Sequence, residues 1–220
     1  MVPHAPLAKP ESRVPVYAAS VAAALLHLAL PAQIAPGPSW IPIAIVVPLT
    51  LPQMILRTCG NQRLARKIGL AAMAALTLFL VAALGTLIAR LLILPSTPKE
   101  GALVLRAAVP LWIGNVVVFA LWYWRLDAGG PHVRERGHAI RHGFVFPQMT
   151  MSEEQRAALG QTHWTPLFLD YLFLAFNTST AFSPTDTPVV AGWAKGLVMV
   201  QSSVSLCLLV LVAARAVNIL

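Results

Sequence analysis

Apolar positions in this chain fall in long runs separated by short polar breaks, and the runs are too evenly apolar to be the one-sided stripe of a soluble helix. Six apolar segments can be drawn, at 14–34, 39–56, 68–94, 102–124, 166–182 and 193–217. A helix needs about 20 residues to cross about 30 Å of hydrocarbon, and most of these runs supply that length. The fifth does not. It is short, and its second half is Asn177-Thr178-Ser179-Thr180, so it reads as a short interior-facing span or a re-entrant half-helix. Pro42, Pro48 and Pro52 in the second segment predict a kinked helix, because each proline removes a backbone donor. The predicted fold is all-α: a polytopic transmembrane helical bundle forming a single membrane domain over 1–220, with about six membrane segments, the fifth short or re-entrant.

Residues 125–165 form the sizeable polar region, too small for an independent domain. Asp127-Ala-Gly-Gly-Pro131 reads as a turn, and residues 150–160 read as one short helix. Ser152 caps that helix, Gln155 is its third position and Gly160 stops it.

Composition supports the membrane reading. Hydrophobic residues make up 57% of the 220, charged residues only 11%, and mean hydropathy is +0.71, against about 25% charged residues in ordinary soluble chains. The net charge of +8 is therefore read as loop arginines that set orientation, not as a nucleic-acid surface. Cys59 and Cys207 imply neither a disulfide framework nor a metal site. The run beginning at Val14 lacks a small-residue cleavage site and is expected to be a retained span.

Arg57, Arg63, Arg66 and Lys67, without an acid among them, favour the cytoplasmic side for the loop after the second segment. Alternation through six full spans puts the N-terminus and the C-terminus in the cytoplasm, with 12 of the 16 basic residues on or beside that side. Re-entry of the fifth segment from the outside would need the 125–165 loop outside, against this charge bias, and re-entry from the inside would instead leave the C-terminus outside. The expected location is the bacterial inner (plasma) membrane.

Asp170 is an acid within an apolar segment, which makes it an ion or proton site, or an interfacial carboxylate at a helix start. Asn177, Thr178, Ser179 and Thr180 offer oxygens that could coordinate a partly dehydrated cation or bond helices together. Asp186, after Ser183-Pro184-Thr185, would cap the next helix or sit at a pore mouth. Gln201 and Ser205 share a helix face expected to meet the fifth segment. Asn115 is expected to bond to a neighbour. Arg90 and Arg106 can snorkel to the interface, and Trp122, Tyr123 and Trp124 form an interfacial belt, with Trp164 and Trp193 read the same way. His132, His138, His142 and His163 share a loop without metal-ligand spacing. Nothing resembles a catalytic triad, a phosphate loop or a zinc motif, so no enzyme activity, metal or cofactor is expected.

Several strings resemble an uncharacterised family of bacterial multi-pass membrane proteins. They are Trp122–Arg125 with Gly129-Gly130, Phe144-Val-Phe146-Pro147-Gln148, Asp170–Leu172, Ala181–Asp186 and Ala214–Asn218. The resemblance covers nearly half the chain and implies no particular activity. The order from Tyr171 to Leu220 also resembles the pore domain of potassium-type cation channels, with 171–176 as pore helix, 178–186 as filter and an apolar inner helix after it. The Gly-Tyr-Gly core of such filters is replaced here by Ala181-Phe182-Ser183-Pro184, and without those glycines successive carbonyls cannot readily be aimed at an axis. No run of regularly spaced arginines in the first half suggests a voltage sensor. The expectation is an ion-channel-like or transport-like protein. Its polar path would use Asp170, Asn177, Thr178, Ser179, Thr180 and Asp186. Its partners would be the lipid bilayer, a monovalent cation and further copies of itself in a homo-oligomer. The alternative is a non-transporting membrane scaffold or accessory subunit.

Overall fold

A computed structural model describes residues 11–93, 97–135, 141–162, 164–180 and 186–217. Within them the chain is all-helical, apart from one antiparallel bridge between Phe144 and Val189. The helices are α1 (Val14–Leu25), α2 (Ile41–Thr58), α3 (Gln62–Ile93), α4 (Pro98–Leu126), α5 (Pro131–Glu135), α6 (Pro147–Thr150), α7 (Glu153–Ala158), α8 (Phe168–Thr180) and α9 (Gly192–Val217). Four are long and apolar enough to cross a membrane, over Ile41–Thr58, Gln62–Ile93, Lys99–Gly129 and Gly192–Arg215.

The other two apolar runs are shorter than that. The first becomes the 12-residue α1 and a 3-10 turn, Leu26–Ala29, ending just before Pro31. The fifth becomes α8, with only 13 residues. In α2, Pro48 and Pro52 lie inside one continuous helix. They are four apart and exposed, whereas Val46, Thr50 and Gln53 are buried on the opposite side, so the prolines' missing donors face away from the bundle.

The centre of the bundle is α4, which packs against α1, α3, α8 and α9. Its apolar window is 56% buried, against 17% for α9. Leu76, Leu80, Ala83 and Leu87 of α3 meet Ala107, Leu111 and Phe119 of α4 in one continuous core. The helix pair α2 and α3 is closed by a tight turn at 59–61.

Contacts order the two ends of the bundle. At one end Glu11 reaches Trp124 and the start of α8, and Gln53 reaches Arg125. At the other, Thr86 bonds the carbonyl of Ile34, Arg90 pairs with Glu100 at 3.1 Å, and Arg215 lies 3.5 Å from the carbonyl of Leu91. The first end carries most of the arginines and is the basic end.

Helices α8 and α9 both start from the basic end. Phe144 packs against Tyr171 at the start of α8 and against Trp193 at the start of α9, with ring centroids 6.2 and 5.8 Å away. Further in, Gln201 of α9 meets Ala175 and Ser179 of α8. The two helices therefore advance in the same direction, antiparallel to α4, and Arg13 and Arg215 lie at opposite ends of the bundle.

Candidate functional site

Polar side chains in the apolar interior converge on one seam between α4, α8 and α9. Gln201, fully buried, accepts from the Tyr123 hydroxyl at 2.5 Å. Its amide nitrogen donates to the Ala175 carbonyl at 2.6 Å and the Ser179 hydroxyl at 2.8 Å. Asn115 of α4 donates to the Gln201 carbonyl at 3.1 Å and to the Ser205 hydroxyl at 2.8 Å. One glutamine thus fastens three helices, and every polar atom of its side chain is used. The Asn115 Oδ1 atom is buried without a hydrogen-bond partner.

A second polar group sits where α4 ends. Asp127 is fully buried and accepts from the Tyr171 hydroxyl at 2.6 Å, the Gly143 amide at 2.6 Å and His142 Nδ1 at 3.2 Å. These bonds tie α4 to α8 and to the loop bridged at Val189. Arg134 donates to the carbonyls of Trp124 and Asp127 and lies over the rings of Trp124 and Tyr171. Arg13 and Arg125 approach the same indole, 4.8 and 5.5 Å from its centroid.

The expected path residues do not gather in one place. Asp170 accepts from the Leu167 amide at 2.7 Å and so caps the start of α8 at the basic end. Asp186 is exposed at that same end. Asn177 and Thr178 are half-buried on the deep half of α8, with the Thr178 hydroxyl donating to the Leu174 carbonyl. Ser179 joins the Gln201 seam. Thr180 is exposed, its hydroxyl donating to the Phe176 carbonyl. On α8, Leu169, Phe173 and Phe176 are exposed on the face that runs on to Thr180.

Gln201 and Ser205 do share a face, but only Gln201 meets α8, since Ser205 turns to Asn115 on α4. Trp124 is buried, with the guanidinium groups of Arg13, Arg125 and Arg134 over its ring. Arg90 is held by Glu100. His142 binds Asp127, while His138 and His163 lie outside the described residues. The sequence reading passed over Asp127 as a turn residue and said nothing of Glu11, Gln53 or Gly69. A signal was present in part: an acid directly after a span, followed by Gly129-Gly130, marks an unusual helix end.

Comparison with protein-family models, with curated proteins and with solved structures finds no match for this chain. Any function has to be argued from its own residues.

Proposed function

We propose that the chain is a channel-like or transport-like membrane protein in which α8 is a re-entrant half-helix and α9 the full span beside it. The carrying observation is the shared direction of α8 and α9 out of the basic end. With 13 residues, α8 rises about 18 Å, short of the roughly 30 Å hydrocarbon core. The steps from Thr180 to Asp186 reach at most about 20 Å, enough to return over that depth. A half-helix that ends at membrane depth with Asn177, Thr178, Ser179 and Thr180 at its tip is tolerated where that tip is enclosed by protein or lines a watery cavity, which favours a polar path.

On this reading α1 with its 3-10 turn, α2, α3, α4 and α9 cross, and α8 makes the sixth membrane segment. The basic end faces the cytoplasm of a bacterial cell, and the C-terminus faces outward. Asn177 and Thr180, on the side of α8 away from the Gln201 seam, line the deep part of the path, with Thr178 and Ser179 packed behind them and Asp170 and Asp186 at its mouth, and a monovalent cation is the solute. The exposed face of α8 meets further copies of the chain, since one hairpin cannot surround a pore.

Single cysteines at Ser152 and Asp186, both exposed, test the topology in a background lacking Cys59 and Cys207. A membrane-impermeant thiol reagent should reach both from the cytoplasmic side only. Labelling from opposite sides would mean that α8 crosses and would sink the proposal. A specific observation favours a second reading, a scaffold or accessory subunit: Gln201 is fully satisfied, and the Thr178 and Thr180 hydroxyls return to their own helix. Cation flux into liposomes holding the purified chain separates the two. Transport predicts flux that Thr180→Ala alters. A scaffold predicts none.

A further inference from the structure

At the basic end, α1, α2, α3, the end of α4 and the start of α5 line a half-open cavity of about 180 Å³. Its wall includes Arg13, Arg57, Arg63, Arg66, Arg125 and His132, and none of the residues lining it is acidic. Arg13 has Glu11 at 3.3 Å, behind the wall. Arg125 is different. It is only 8% exposed, donates to Gln53 Oε1 at 2.9 Å, and leaves its Nε atom buried without a partner. Among the described residues no carboxylate pairs with it.

The chain makes room for this cation. A Cβ at Gly69 on α3 would collide with the Arg125 guanidinium, so the glycine lets the charged group lie flat against the helix. Gly130 has φ +95°, and a Cβ there would come within 2.8 Å of the Arg125 carbonyl, so the backbone that ends α4 is also fitted closely around this residue. A buried guanidinium without a counter-charge is costly, and an arrangement that holds one in place is completed by an anion. Guanidinium groups match phosphate oxygens with paired, charge-assisted hydrogen bonds. The cavity is smaller than the roughly 300 Å³ from which drug-sized pockets begin, so it suits a headgroup-sized anion.

We infer that this cavity is a binding site for a phosphate group, held by Arg125 at its base and by Arg63 and Arg66 at its rim. The inference stands apart from the transport reading. The phosphate can belong to a soluble ion or to an anionic lipid headgroup, because the cavity lies where helix ends meet the headgroup layer.

The test is thermal unfolding of the purified full chain in phosphatidylcholine nanodiscs at fixed ionic strength. One arm titrates inorganic phosphate against chloride, and the other replaces part of the phosphatidylcholine with phosphatidylglycerol. A saturable rise in unfolding temperature is expected in at least one arm. A rise with inorganic phosphate assigns the site to a soluble anion, and a rise with phosphatidylglycerol alone assigns it to a headgroup. Arg63→Gln with Arg66→Gln, both exposed in the wild type, should move the midpoint of the response about tenfold, the loss expected for a charge-assisted hydrogen bond. Gly69→Ala, which displaces the guanidinium without changing charge, should weaken the response too, and Arg125→Met should abolish it. If Arg125→Met does not fold, the rim variant decides. No response in either arm, or an undiminished response in the rim variant, overturns the inference.

Discussion

Midway along the bundle Asn115, Tyr123, Gln201 and Ser179 face one another, and at the basic end Arg63, Arg66 and Arg125 face a cavity without an acid in its wall. Both regions bury at least one polar side chain among apolar helices, Gln201 in the first and Arg125 in the second. In the first, every polar atom of the Gln201 side chain is matched within the chain, with Asn115 Oδ1 left over, so the seam holds α4, α8 and α9 in register. In the second, the described lining of the cavity holds no acid and Arg125 Nε is buried without a partner, the pattern of a site that takes an anion from outside the chain. Matched polarity acts as internal fastening, and unmatched polarity of one sign acts as a request for a partner.

The largest effect that would break this contrast is expected at Asp127. Asp127→Ala strips Tyr171, Gly143 and His142 of a shared acceptor and should lower unfolding stability by about 3 kcal/mol, read in a denaturant titration. Next comes Gln201→Leu, which keeps the volume but leaves Tyr123, Ala175 and Ser179 without their bonds. A loss of about 2 kcal/mol is expected, since interhelical hydrogen bonds in membranes are individually modest. The smallest change sharpens the contrast. Arg63→Gln with Arg66→Gln should alter stability by less than about 0.5 kcal/mol when neither phosphate nor anionic lipid is present. A large loss there would show that the rim arginines serve the fold instead.

Much of the fold was legible in sequence because lipid demands length. The long helices at 41–58, 62–93, 98–126 and 192–217 each overlap a run that hydropathy draws, with starts displaced by up to six residues. The capping box of Ser152 and Gln155 forms as its spacing requires. The direction of α9 was not legible, and the reason is arithmetical. Turning the last helix over exchanges one basic residue, Lys195, for another, Arg215, at the basic end, so the count there does not change. Charge bias is blind to that exchange. The Asp127 anchor was hidden for another reason. Its partners His142, Gly143 and Tyr171 lie 15, 16 and 44 positions away, and an acid before Gly129-Gly130-Pro131 has an ordinary local explanation as a turn. Gly69 likewise means nothing until Arg125 is seen lying over it.

The hydrogen bond between Ser179 and Gln201 spans 22 positions in the chain, and its acceptor is made first. When α8 leaves the ribosome, the glutamine that holds its deep end is 22 positions behind and still inside the exit tunnel. A helix this short, with Asn177, Thr178, Ser179 and Thr180 at its tip, has little to recommend it to the insertion machinery alone. On the proposed topology biosynthesis then has a fixed order: α9 enters the bilayer, and α8 settles against it afterwards. A nascent chain stopped before Gln201 would carry α8 as an unfastened segment, open to proteases and chaperones on the side where it began.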